Sequence, residues 1–218
     1  MNRLSALILA GGEGKRMKSD KPKALSEVLG KPMLGWIIDS LRDGKIDDIC
    51  VVTGSKKEYI YEYLQNLPFV IETAYQAERL GTGHAVMMAK DFLSRIKGDV
   101  VILGADAPFM DTETITEAYK LHKETGACAT VISARVDDPT GYGRIVRNDD
   151  DSFKAIVEQK DADEQTAKIT EVNSGAYWFD TEKLLSVLDE ISSDNAAHEY
   201  YLPDALKLLL KKGLRISA

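Results

Sequence analysis

No stretch of the 218-residue sequence approaches the roughly 20 consecutive apolar residues that span a bilayer. The opening Met1-Asn2-Arg3-Leu4 runs straight into a strand-like segment, with no small-residue cleavage pattern behind it. Cysteine is scarce. Cys50 and Cys128 stand among apolar neighbours such as Ile49, Val51 and Val131, and read as buried free thiols of a reducing compartment. Two cysteines are also too few for a zinc site built from them. Positive charge is in deficit, with 28 Lys and Arg against 35 Asp and Glu, so a broad nucleic-acid-binding surface is not expected. Six prolines, 44% hydrophobic residues and 29% charged residues exclude collagen-like, disulfide-dense and disordered chains. What remains is a soluble, cytoplasmic globular protein, with no membrane or nucleic-acid partner indicated. Its length fits one large domain, or a medium domain with a small lobe.

Short apolar runs alternate with segments of helical period. Leu4 to Ala10 ends at Gly11-Gly12 and has the profile of a buried parallel strand. Met33, Leu34, Ile37, Ile38 and Leu41 recur at helical spacing, closed by Gly44. Further strands are expected at Ile49 to Thr53, Phe69 to Ile71, Val100 to Leu103 and Ala129 to Ala134. Helices are expected through Tyr59, Tyr63 and Leu64, from Gly83 to Leu93, and from Thr112 to Glu124. After Ala134 the texture changes to short β-like pieces at Arg144 to Val146, Phe153 to Val157 and Val172 to Phe179, separated by acidic turns. Helices at Thr181 to Leu188 and about Tyr200 to Lys212 follow, and Leu214 to Ala218 looks like the beginning of a strand. This order predicts an α/β fold, a Rossmann-like mixed and mostly parallel sheet with helices on both faces. Residues 1–218 form one domain in this reading. A nucleotide-binding half runs to about 134 and a substrate-completing half from about 135, sharing one continuous sheet.

Most of the chemistry lies in Leu9-Ala10-Gly11-Gly12-Glu13-Gly14-Lys15-Arg16-Met17, just past the first strand, where open α/β sheets place their ligands. Three glycines in four positions let backbone N–H groups approach an anion. Lys15, Arg16, Lys18, Lys21 and Lys23 follow within nine positions, and such clustering in a chain of net charge -7 favours a polyphosphate. Two common phosphate motifs fail here. A dinucleotide fingerprint starting at Gly12 meets Met17 where its third glycine belongs, and a Walker A loop meets Leu9 and Arg16 at required positions.

Leu9-Ala10-Gly11-Gly12 with Gly14, Arg16, Met17 and Lys23-Ala24-Leu25 resembles the opening of sugar-1-phosphate nucleotidylyltransferases. Four further blocks follow in order: Gln76 with Leu80-Gly81-Thr82-Gly83-His84-Ala85, then Asp138 to Ile145, Ile156 to Asp161, and Glu171-Val172-Asn173-Ser174-Gly175. Together they resemble the uridylyltransferase domain of the N-acetylglucosamine-1-phosphate uridylyltransferase family, from about Leu4 to Ile216.

The resemblance implies the nucleotide-diphospho-sugar transferase fold and transfer of a uridylyl group from UTP to N-acetylglucosamine 1-phosphate, with Mg²⁺ as cofactor. It implies that Leu9, Ala10, Gly11 and Gly12 hold the nucleotide and its phosphates. Arg16 and Lys23 offset charge on both substrates, Asp106 binds the metal, and Gln76, Gly81 and Thr82 read uracil. Gly143, Glu158 and Asn173 hold the N-acetylhexosamine. An amide such as Gln76 carries a donor and acceptors in one group, as the edge of uracil does. The free N–H groups of a helix opening at Gly81-Thr82-Gly83 suit a base or an anion. His84 is read as a packing or capping residue, and Tyr177 and Trp178 as core. The family's usual Tyr-Gly-Asp is replaced here by Gly104-Ala105-Asp106, which keeps the aspartate but changes the contact beside the sugar. Bifunctional members supply a further metal-binding Asn and then a β-helix acetyltransferase domain, neither of which is in this sequence. The expectation is a cut N-terminal domain, trimeric only if the natural protein carries that β-helix. Two alternatives stand beside this reading: a transferase for another base or hexose, and a non-catalytic nucleotide-sugar-binding module.

Overall fold

The computed structural model describes residues 4–12, 21–195 and 197–218. Strand β1 (Ser5–Ala10) is buried almost throughout and ends at Gly11. A hairpin of β2 (Glu27–Val28) and β3 (Lys31–Pro32) leads into α1 (Met33–Asp43), whose Leu34, Ile37, Ile38 and Leu41 turn inward at helical spacing. The alternation continues with β4 (Asp48–Thr53), α2 (Lys57–Gln65), β5 (Glu72–Tyr75), α3 (Thr82–Met88), α4 (Lys90–Leu93), β6 (Asp99–Gly104), α5 (Thr112–Thr125) and β7 (Ala129–Arg135). Helix α5 shows why the boundaries fall where they do. The Asp111 carboxylate accepts from the Thr114 backbone N–H at 2.8 Å, capping one end, and Gly126 closes the other in the left-handed region. Then come β8 (Arg144–Arg147), β9 (Phe153–Val157), β10 (Glu171–Asp180), α6 (Thr181–Leu188), α7 (Pro203–Lys211) and β11 (Ile216–Ser217).

Nine of these strands form one sheet, with the main order β11-β7-β10-β6-β1-β4-β5 and with β8 and β9 attached through β10. β6, β1, β4 and β5 run parallel to one another, as do β11 and β7. β10 enters antiparallel between β6 and β7. The strands are apolar runs because both faces are covered: Val100 and Ile102 of β6 face one core, and Val101 and Leu103 the other. Helices α3, α4, α6 and α7 seal the first face, where the free thiols of Cys50 and Cys128 also lie, and α1, α2 and α5 seal the second. Among the described residues, no helix is long and apolar enough to cross a membrane.

Three expected boundaries move. The strand expected at Phe69 to Ile71 pairs instead at Glu72–Tyr75, where Cys50 faces Glu72 and Thr53 faces Tyr75. β5 is a mostly exposed edge strand and so gives no apolar signal. The apolar run before it packs on the sheet margin, with the Arg42 guanidinium 3.7 Å over the Phe69 ring. The helix expected from Gly83 to Leu93 is broken at Ala89 (φ -95, ψ 15) into α3 and α4. The last helix starts at Pro203 rather than Tyr200, because the backbone of Tyr200 pairs elsewhere: its N–H donates to Leu80 O and its carbonyl accepts from Gly83 N–H, both at 2.7 Å.

Candidate functional site

A cleft of about 470 Å³ opens outside the carboxyl ends of β1, β5 and β6. The backbone draws these ends together. Leu9 O accepts from Ala105 N–H at 2.9 Å, and Gln76 N–H donates to Thr53 O at 2.8 Å. Gly11 follows β1 and Gly54 follows β4, packed back to back so closely that a Cβ on Gly54 would stand 2.7 Å from Gly11 O. Leu9, Ala10, Gly11, Gly12, Lys23, Gln76, Gly81, Thr82, Gly104, Ala105 and Asp106 all line this cleft. Arg16 belongs to residues 13–20 and lies outside the described residues.

Lys23 opens a single turn of 3₁₀ helix, and its Nζ meets Asp106 Oδ2 at 2.6 Å across the cleft floor. Both side chains stay partly exposed, so the pair is worth at most about 1 kcal/mol and can open for a ligand. A Cβ at Gly104 would stand 2.7 Å from Asp106 Oδ1, so the absence of a side chain there lets the carboxylate fold back over the strand end. Among the described residues, no three His, Cys, Asp or Glu side chains gather to hold a metal. Magnesium rarely needs such a cage; it takes one or two carboxylates and completes its shell with phosphate oxygens and water. Asp106, open to the cleft beside a cationic partner, fits that donor set.

Gln76 is only 4% exposed, and its side chain is held firmly. Nε2 donates to Gly81 O at 3.0 Å and lies 3.1 Å from His84 Nδ1. The amide's donor half is therefore committed inside the protein, and Oε1 is left over Gly11, where an added Cβ would be 2.8 Å from it. This corrects the expectation that Gln76 offers both a donor and an acceptor. His84 packs beside Tyr200 at 6.1 Å between ring centroids and is in addition a partner of Gln76. The helix-opening N–H groups are not all free either, since Gly83 N–H is taken by Tyr200 O. The Thr82 side chain is engaged too, its Oγ1 accepting from Leu202 N–H at 3.0 Å.

β10 completes the rim. Between Asn173 and Ala176 its register against β7 shifts, Gly175 takes a φ of +80, and Ser174 Oγ donates to Ile132 O at 2.5 Å. This bulge turns Ser174, Gly175 and Ala176 into the cleft. Asn173, Gly143 and Glu158 form a patch next to them rather than in the cleft wall. Asn173 N–H donates to Gly143 O at 2.8 Å, and a Cβ at Gly143 would lie 3.1 Å from Glu158 Oε1. Asn173 Nδ2 donates to the Tyr177 hydroxyl at 2.7 Å, which fixes the amide. Tyr177 and Trp178 are core, as expected, and burial raises the Tyr177 pKa. Burial, aided by Asp161, also raises the Glu158 carboxyl above its ordinary value. The fully buried Arg144 ties this patch to its surroundings through Tyr142 O, Gln159 Oε1 and Ala167 O. Sequence reasoning missed Arg79, Ser174 and Glu199, which also line the cleft. Ser174 adjoined a quoted motif and was within reach. Glu199 lies in an irregular segment with no periodicity to mark it.

The chain matches the Nucleotidyl transferase family over residues 5–217. It is 44% identical over 213 residues to the bifunctional protein GlmU of Clostridium botulinum (strain 657 / Type Ba4), covering 98% of this chain and 46% of that protein. It is 47% identical over the same length and shares to the bifunctional protein GlmU of Clostridium beijerinckii. The chain thus spans about half the length of the curated relatives it matches. Among solved structures, a UDP-glucose pyrophosphorylase complexed with UDP-glucose superposes with a TM-score of 0.79 at 18% identity, covering 97% of this chain and 88% of that one, a likeness of fold alone. With its cleft at the strand ends, its family match along nearly the whole sequence and relatives above 40% identity, the chain belongs to the nucleotidyl transferase family.

Proposed function

We propose that this chain transfers the uridylyl group of UTP to N-acetylglucosamine 1-phosphate, releasing pyrophosphate and giving UDP-N-acetylglucosamine. The observation that supports this reading is a cleft lined by Leu9 to Gly12, Lys23 and Gln76, with the patch of Gly143, Glu158 and Asn173 directly beside it. In this reading the backbone and the cation take the phosphates, the Gln76 oxygen takes the base, and the adjoining patch takes the sugar. The part of the chain up to about residue 134 supplies the first two, and the later part supplies the third.

No protein nucleophile is needed. A phosphate oxygen of the sugar 1-phosphate attacks the α-phosphorus of UTP; the new P–O bond forms as the bond from that phosphorus to the bridging oxygen breaks, and pyrophosphate leaves with the electron pair. The residues of the chain supply alignment and charge. Gly11 and Gly12 let the triphosphate approach the backbone, while Lys23, with Arg16 in the role the family resemblance gives it, offsets the negative charge that builds on the departing pyrophosphate. Asp106 would hold Mg²⁺, which would supply positive charge against the phosphates. Lys23 is released from Asp106 towards the phosphates as substrate enters. Glu158 and Asn173 orient the sugar so that its phosphate lies in line.

The test is pyrophosphate release from UTP and N-acetylglucosamine 1-phosphate across a magnesium titration. Glucose 1-phosphate and the other nucleoside triphosphates run alongside. Selective, metal-dependent release is expected. UDP-N-acetylglucosamine binding with no release at any magnesium concentration would leave only a binding module.

A further inference from the structure

The proposed uridylyl transfer requires the site to choose uracil, and the geometry around Gln76 shows what sets that choice. The side-chain amide has two N–H bonds and two acceptors waiting for them, Gly81 O at 3.0 Å and His84 Nδ1 at 3.1 Å. A carbonyl oxygen can only accept, so Gly81 holds one N–H. The imidazole accepts the other only as the tautomer whose proton is on Nε2. With both donors engaged, the group left for a ligand is Oε1, which lies over Gly11 in the cleft lining. A buried oxygen of this kind rewards a base with an N–H at its pairing edge and penalises one with a lone pair there. Uracil carries N3–H at that edge. Cytosine has an unprotonated N3 at the same place, and adenine has an unprotonated N1.

We propose that His84 is a specificity-determining positioning residue. By accepting the second amide proton it keeps the Gln76 oxygen turned to the cleft and so selects uridine over cytidine nucleotides. Without that acceptor, only Gly81 O opposes rotation of the amide, and the rotated amide would present N–H groups that suit the cytosine edge. This inference rests on the uridylyl reading. A packing role beside Tyr200 would leave base choice to Gly81 alone.

The experiment compares dissociation constants for UTP and CTP, measured calorimetrically with magnesium, in wild type, His84→Phe and His84→Asn. Wild type is expected to favour UTP. His84→Phe keeps a ring but offers no acceptor, and its UTP-to-CTP selectivity is expected to fall roughly ten- to a hundredfold, the scale set by one unpaired buried donor. His84→Asn restores an acceptor and is expected to recover part of the loss. Undiminished selectivity in His84→Phe overturns the inference and leaves the uridylyl reading intact. A wild type with no preference for UTP overturns both. Should His84→Phe fail to fold, nitrogen-15 NMR of the unaltered protein decides independently. An Nε2–H tautomer for His84 supports the inference, and an Nδ1–H tautomer overturns it.

Discussion

Gly11→Ala puts a single methyl group against the atom that reads the base. The backbone at Gly11 is not in the left-handed region, so alanine introduces no strain there. The cost comes entirely from the neighbour: the new Cβ would sit 2.8 Å from Gln76 Oε1, whereas ordinary van der Waals contact begins at 3.4 Å. Oε1 must withdraw by about half an ångström. The end of a glutamine could normally do so freely, but this one is tethered by Gly81 and His84. Moving it stretches or breaks one of those bonds, a loss of about 1 kcal/mol. For a domain of this size that corresponds to a fall in Tm of about 2 to 4 °C. The larger effect falls on the ligand, because the oxygen is displaced from the place where N3–H of the base must arrive. The expected outcome is a roughly tenfold or greater rise in the dissociation constant for UTP, with a much smaller change for inorganic triphosphate, which does not touch Gln76. Calorimetric titration with both ligands, alongside thermal unfolding, makes the comparison. If Gly11→Ala binds UTP as wild type does, Gln76 Oε1 is not the atom that meets the base.

Asp106→Asn keeps the shape but removes the charge that pairs with Lys23. Pyrophosphate release is expected to fall at least a hundredfold, with its magnesium dependence lost, while Tm moves by no more than a few degrees because the pair is partly exposed. Glu158 carries a carboxyl raised by burial and by Asp161, so it protonates at a less acidic pH than an ordinary glutamate. The KM for the sugar phosphate should therefore rise on mild acidification in wild type, and this rise should be absent in Glu158→Gln; identical pH profiles would remove Glu158 from the sugar site. Asp99 is buried at the opposite end of β6. Burial works against its charge, but hydrogen bonds from His122 and Lys123 outweigh this and hold its carboxyl down at about 2. Since the folded value is depressed, the stabilisation is present above the unfolded value of about 3.9 and disappears as pH falls through the folded one. Urea unfolding between pH 5 and 2 should lose about 2 kcal/mol through this group. Asp99→Asn should flatten that slope, and an unchanged slope would show that another carboxylate is responsible.

Much of this could be read from the residues because local and tertiary signals agree. β1 and β6 are uninterrupted apolar runs since both faces are covered, and each ends at the glycine or aspartate that borders the cleft. Gln76 had to be found through its motif, because nothing in hydrophobic period marks a buried polar residue at the end of an exposed edge strand. Its one-sided use was hidden for a different reason: the partners that claim its donor half, Gly81 and His84, do so only after the loop and α3 have folded back. The bulge at Ser174-Gly175 depends on register against β7, a relation between segments about 40 residues apart that a linear pattern does not carry. Tyr200 reads as helical until the loop at Leu80 to Gly83 takes its backbone groups.

Cys50 and Cys128 face the same core, and burial pushes their thiols up to about 12 and about 11. Only a thiolate reacts readily with an alkylating reagent, and at neutral pH the folded chain offers almost none. Labelling must therefore wait for the helices that cover this face to lift, and its rate follows how often they do. The chain thus carries a built-in clock for the breathing of one side of its sheet, and ligands that bridge β1, β5 and β6 should slow it.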